Sequence, residues 1–106
     1  MIVSLDFDDT FTADPRTWTK VVDVLTQAGH EVICISGRTN TNENKIDLRR
    51  DLPKQISRIY LCGDLSKKHY SEINSLAVDI WIDDSPSRIV QAKQRVIRSL
   101  NRLRVK

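Results

Sequence analysis

Four short runs, Ile2–Leu5, Glu31–Ile35, Arg58–Cys62 and Asp79–Ile82, are rich in β-branched, aromatic and other apolar residues, and stretches with helical periodicity separate them. Strands that pair in parallel need a long crossover between them, and each gap here can hold a helix. The alternation predicts an α/β fold: a three-layer, Rossmann-like parallel sheet flanked by helices. In such sheets functional groups collect beyond the carboxyl ends of the strands. Two of the four runs end in aspartates, the first in Asp6-Phe7-Asp8-Asp9-Thr10 and the last in Asp83-Asp84.

The intervening segments carry ordinary helix signals. Asp14 is placed to cap a helix opened by Pro15, with Trp18, Val21, Val22, Val24, Leu25 and Ala28 as its apolar face and Gly29 as its stop. A second helix is expected from about Asn42 to Leu52, using Ile46, Leu48 and Leu52 and ending before Pro53. A third is expected from Lys67 to Leu76, burying Tyr70, Ile73 and Leu76. The last segment, Ser87 to Val105, reads as an amphipathic helix built on Ile89, Val90, Val96, Ile97, Leu100 and Leu103. Arg88, Lys93, Arg95, Arg98, Arg102, Arg104 and Lys106 lie between them.

A chain of 106 residues forms one domain, residues 1–106, with one core and no separate substrate-recognition domain. No run approaches the roughly 18 apolar residues of a membrane span, and the first strand leaves no room for a basic leader, so a cytoplasmic protein without a membrane partner is expected. Cys34 and Cys62 both lie in apolar runs and read as buried thiols. His30 and His69 have no second His or Cys at metal spacing. The formal charge is +3, but Asp outnumbers Glu eleven to three, and Asp favours loops, caps and metal sites. The basic excess falls largely at the C-terminus.

Carboxylates massed at two strand ends repel one another unless a cation sits among them. Mg2+, which prefers hard oxygen ligands and substrate phosphates, is the candidate, and a phosphoryl-transfer site follows from it. On an extended backbone Asp6 and Asp8 face the same side while Phe7 turns into apolar packing. One carboxylate can attack phosphorus, and the second can protonate the leaving alkoxide and then deprotonate water. Asp6 is assigned as nucleophile and Asp8 as acid/base.

Ser36-Gly37-Arg38-Thr39 follows the second run, where backbone N–H groups can point at a phosphate oxygen and Ser36 can hold the transferring group. Lys67-Lys68 opens the third helix, where a lysine can neutralise nucleophile and phosphate. Asp9, Thr10, Gly37, Arg38 and Lys68 complete the candidate substrate-binding set.

In that order the residues resemble the haloacid dehalogenase-like hydrolase superfamily. Asp6-Phe7-Asp8-Asp9-Thr10 looks like its first motif, Ser36 its second, Lys67 or Lys68 its third and Asp83-Asp84 its fourth, so the likeness runs from the start of the chain to about Ile89. The resemblance implies an aspartyl-phosphate mechanism with Mg2+ held by Asp6, the backbone carbonyl of Asp8 and Asp83, with Asp84 supporting them. Ser36 and a lysine would grip the phosphoryl group. Lys67 is favoured because Ser66-Lys67, followed by a short helix and the final acidic pair, looks like small phage and bacterial members. Asp9 stands where phosphatases of the family commonly have Gly, adds a negative charge near the phosphate, and is expected to point outward. The loops are too short for an inserted cap domain, and the open site that results suits a phosphorylated molecule that is large or protruding, such as a nucleotide or a nucleic-acid end, or needs another subunit to close it.

The expected activity is therefore hydrolysis of phosphate monoesters by a capless Mg2+-dependent phosphatase. The basic C-terminal helix could track a nucleic-acid backbone, although it lacks interleaved aromatics. Two other classes share features of this sequence. A Mg2+-dependent nuclease also gathers carboxylates at strand ends, but it would have no need of Ser36 or Lys67. A non-catalytic phosphate- or partner-binding domain of the receiver type would carry its phosphoacceptor after the third strand, where Cys62-Gly63-Asp64 stands, and its lysine after the last.

Overall fold

A computed structural model describes residues 1–93. Four strands, β1 (Ile2–Leu5), β2 (Glu31–Ser36), β3 (Arg58–Leu61) and β4 (Ile80–Ile82), form one sheet in the order β3-β2-β1-β4. Every pairing is parallel. Helices α1 (Pro15–Gln27), α2 (Asn42–Asp51), α3 (Lys67–Ile73) and α4 (Ser87–Val90) fill the connections and the end of the described chain. The chain steps outward from β1 to β2 and β3, then returns to the other side of β1. That reversal opens a crevice at the carboxyl ends of β1 and β4, where α/β sheets of this kind bind ligands.

The sheet is covered on both faces, and β2 shows why. Val32 and Cys34 join a core with Val3, Leu5, Phe7, Val22 of α1 and Leu48 of α2. The alternate residues Ile33 and Ile35 pack on the other side with Cys62 and Leu76, against partly buried Tyr70 of α3. Residues that alternate between two apolar layers leave no solvated face, which accounts for the nearly continuous apolar run of β2. Fully burying each such side chain is worth about 1.5–3 kcal/mol. Both cysteines are free and buried, and burial pushes their thiols up, so they act as core residues.

Local signals set the helix ends. The Asp14 side chain accepts from the backbone N–H of Thr17 at 3.2 Å, with Pro15 opening α1, and Gly29 adopts φ +88° after its end. Thr41 caps α2 in the same way, accepting from Asn44 N–H, and the helix stops at Asp51, two residues before Pro53.

Helix α3 is shorter than its periodicity suggests, ending at Ile73 rather than Leu76. Asn74 Nδ2 donates to the Tyr70 carbonyl and Ser75 enters the left-handed region at φ +55°, so the backbone turns and Leu76 reaches the core from a loop. Four residues expected on apolar helix faces are largely solvent-facing: Val24, Ile46, Ile73 and Val90. Each helix buries a narrower stripe than its apolar pattern could supply.

The expected long basic helix is corrected in its first part. Helix α4 ends at Val90, and Gln91 is extended at φ −119°, ψ 139°. Arg95, Arg98, Arg102, Arg104 and Lys106, with the rest of that expected helix, lie outside the described residues. Among the described residues, no helix is long and apolar enough to cross a membrane.

Candidate active site

Register brings the two acidic strand ends together. Leu5 pairs with Ile82, and the Asp6 N–H donates to the Ile82 carbonyl at 2.9 Å, so the next residues along, Asp6 and Asp83, emerge side by side. Beyond Asp6 the chain makes a wide loop from Phe7 to Phe11, closed by Phe11 N–H to the Asp6 carbonyl and Thr12 N–H to the Phe7 carbonyl. Phe7 and Phe11 anchor it in the core with ring centroids 6.1 Å apart. With Phe7 turned inward, Asp6 and Asp8 on either side of it both line one open cleft of about 470 Å³.

Lys67 sits at the centre. Ser66 caps α3 by accepting from His69 N–H at 3.1 Å, which makes Lys67 the first residue of the helix. Its ammonium donates to Asp6 Oδ1 at 2.7 Å and to Asp83 Oδ2 at 2.5 Å, and its side chain is only 4 % exposed. Burial works against the charged amine, but the hydrogen bonds and charges of Asp6 and Asp83 outweigh it and hold Lys67 above the usual lysine range. One ammonium between two carboxylates leaves an excess of negative charge. Burial, reinforced by the neighbouring acids, accordingly raises the Asp6 carboxyl to about 6 even though Lys67 pulls it down.

Asp84 completes the acidic group. One carboxylate oxygen from each of Asp6, Asp83 and Asp84 lies within 4.8 Å of the others. The Thr10 hydroxyl lies between two of these acids, 3.2 Å from Asp6 Oδ2 and 2.9 Å from Asp84 Oδ1, and accepts from the Asp84 N–H at 3.0 Å. Burial works upward on the Asp84 carboxyl, but hydrogen bonds led by Thr10 outweigh it and hold it below the ordinary range. Three carboxylate oxygens at this spacing could hold a metal ion; Lys67 takes one oxygen each of Asp6 and Asp83, and their second oxygens accept from the Thr10 hydroxyl at 3.2 Å and the Ser85 N–H at 2.9 Å.

The Asp8 carboxylate is not part of this group. Arg38 forks onto it, Nε to Oδ2 and Nη2 to Oδ1, both at 2.8 Å. A share for Asp8 in holding a cation would fall to its backbone carbonyl.

Of the residues singled out from sequence, Asp6, Asp8, Asp9, Gly37, Arg38, Lys67, Asp83 and Asp84 line the cleft. Thr10 lies behind the acids. Ser36 is 1 % exposed at the end of β2 and does not line the cleft; its Oγ accepts from the Arg38 N–H at 3.2 Å. Lys68 is exposed and borders a different hollow, beside His69 and Glu72. Asp9 is exposed at the rim with φ +63°.

Sequence reasoning passed over Asn44 and the cleft side of Arg88 and Lys93. Arg88 donates to the Gly63 carbonyl at 3.2 Å, and a Cβ at Gly37 would come within 3.2 Å of its guanidinium. Lys93 donates to the Gly37 carbonyl at 3.1 Å. These two residues tie the end of the described chain to the loops after β2 and β3. The glycine of Ser36-Gly37 was the available signal, because it marks a close approach by something. Comparison with protein-family models, with curated proteins and with solved structures finds no match for this chain.

Proposed function

We propose that the chain is a Mg2+-dependent phosphatase of the haloacid dehalogenase-like type that hydrolyses phosphate monoesters through an aspartyl-phosphate on Asp6. The observation that carries this reading is the buried bridge from Asp6 through Lys67 to Asp83, with Asp84 beside it, at the mouth of the sheet. The same ammonium that offsets two buried acids within the fold also lines the open cleft. A nucleophile facing a phosphate dianion requires such a charge, because two anions must approach.

In this mechanism an Asp6 oxygen attacks phosphorus as the bond to the leaving oxygen breaks. Asp8 supplies the proton that the departing alkoxide needs. Asp8 then takes a proton from water, whose oxygen attacks the same phosphorus and releases inorganic phosphate with the Asp6 carboxylate restored. Lys67 holds Asp6 in place and offsets charge through both steps. Asp6, Asp83 and the Asp8 backbone carbonyl would hold Mg2+, with Asp84 in support, and the ion would supply further neutralisation of the phosphoryl charge. With Ser36 buried, the half-buried Gly37 and Arg38 and the exposed Thr39, which line the cleft, are the better candidates for gripping the phosphoryl oxygens.

The cleft has no cap among the described residues, and its rim carries Arg38, Arg88 and Lys93. Such a site suits a phosphate that protrudes from a larger molecule, a nucleotide or a nucleic-acid end. The test is phosphate release from sugar phosphates, nucleotides and 3′- and 5′-phosphorylated oligonucleotides, with and without Mg2+. Release that requires both Mg2+ and Asp6, and is lost in Asp6→Asn, is the expected result. Cleavage of internal phosphodiesters without release from monoesters would favour a nuclease instead.

A further inference from the structure

The fork of Arg38 onto Asp8 engages both carboxylate oxygens of the residue assigned to move the proton. The contact is well formed but not sealed: the Arg38 side chain is 29 % exposed and that of Asp8 48 %, against 4 % and 9 % for the Lys67–Asp6 pair. A fork open to solvent can be competed for by another anion, whereas a buried pair is shielded from one.

The same guanidinium has partners besides Asp8. Its guanidinium lies 5.1 Å from the centre of the Phe7 ring, and Nη1 faces Asn44 Oδ1 at 3.4 Å and Asp47 Oδ2 at 3.6 Å. These partners form a pivot about which the fork can change acceptor without the side chain leaving the wall.

We propose that Arg38 exchanges Asp8 for the substrate. On the reading of the site given above, the guanidinium clamps Asp8 in the empty cleft, moves to two oxygens of an arriving phosphoryl group, and so frees Asp8 to face the leaving oxygen. A phosphoryl group carries close to two negative charges and presents the same planar pair of acceptors as a carboxylate, so it competes for the fork on better terms. Arg38 would thus be a phosphate-binding residue and the release for the proton carrier at once. A lysine there would supply charge without the fork.

Two measurements test the exchange. The first follows the Arg38 Nε and Asp8 carboxyl resonances of the wild-type protein by NMR while inorganic phosphate is added in the presence of Mg2+. Both are expected to shift together with one saturation curve. Phosphate binding that moves other cleft resonances and leaves this pair unchanged overturns the exchange, as does failure of phosphate to bind.

The second compares Arg38→Gln and Arg38→Lys on p-nitrophenyl phosphate, whose leaving group needs no proton, and on an alkyl phosphate, whose leaving group does. Exchange predicts that KM rises about ten- to a hundredfold for both esters in Arg38→Gln and less in Arg38→Lys, with kcat within about threefold. A loss of kcat at unchanged KM, on the alkyl ester or on both, would mean that Arg38 stays on Asp8 through turnover and would overturn the exchange. Joint NMR shifts in a wild-type protein that turns over no ester would support the exchange and sink the phosphatase reading, so the two can fail separately.

Discussion

At the scale of single residues, the structure rests on one ammonium shared by two buried acids. Removing it in Lys67→Ala leaves Asp6 and Asp83 without their shared cation, and the expected cost is about 3–5 kcal/mol in metal-free denaturant melts. Added Mg2+ should restore part of that loss, which a packing defect would not show. Asp6 yields a pH signature of definite sign. Its folded-state value of about 6 lies above the ordinary 3.8, so the native protein binds this proton more tightly than the unfolded chain does. The resulting stabilisation is fully present below about pH 4 and is lost as the pH rises through 6. Asp6→Asn does not titrate, so without metal the variant should gain about 2–3 kcal/mol relative to wild type between pH 4 and 7. A gap that stays constant with pH would contradict the raised value. Asp9 at φ +63° is a strained non-glycine residue. Asp9→Gly should raise stability by about 0.5–1 kcal/mol in denaturant melts, and should lower KM for a phosphate ester by removing a rim charge.

At the scale of elements, the site depends on short pieces held at their ends. Helix α3 has seven residues and places Lys67 through the Ser66 cap. Ser66→Ala should cost about 1 kcal/mol of stability and lower activity more than the exposed Lys68→Ala does. The strands were legible in sequence because β-branched and apolar runs left few other readings, and the expected bounds of β1 coincide with those observed. The length of α3 was not legible, since a spacing that suits a helix through Leu76 is equally met when a left-handed Ser75 carries that leucine inward. The buried partners of α2 were only half legible: Ile46 and Leu48 look alike in the sequence, but the tertiary packing buries Leu48 and leaves Ile46 out. A charged pair such as Arg38 and Asp8, thirty residues apart, leaves no local pattern at all.

At the scale of the whole molecule, strand order does the assembling. Because β4 returns to the side of β1 opposite β2, residues 6 and 83 become neighbours, and Asp6, Asp8, Arg38, Lys67, Asp83 and Asp84, separated along the sequence, line one crevice. The sequence alone made that convergence an expectation through the repeated apolar-then-acidic pattern, while the burial of Ser36 and the clamp on Asp8 depended on packing that no spacing encodes. The most direct test of the central claim is a chemical one. Wild-type protein is mixed with Mg2+ and a substrate ester, quenched in acid within the first turnovers, and mapped by peptide mass spectrometry for a phosphoryl group. The account predicts one acyl phosphate, on Asp6, absent from Asp6→Asn and accumulating in Asp8→Asn on an aryl ester, because there attack proceeds while hydrolysis stalls. Turnover with no phosphoryl group on Asp6 at any quench time would contradict it and point to direct attack by water.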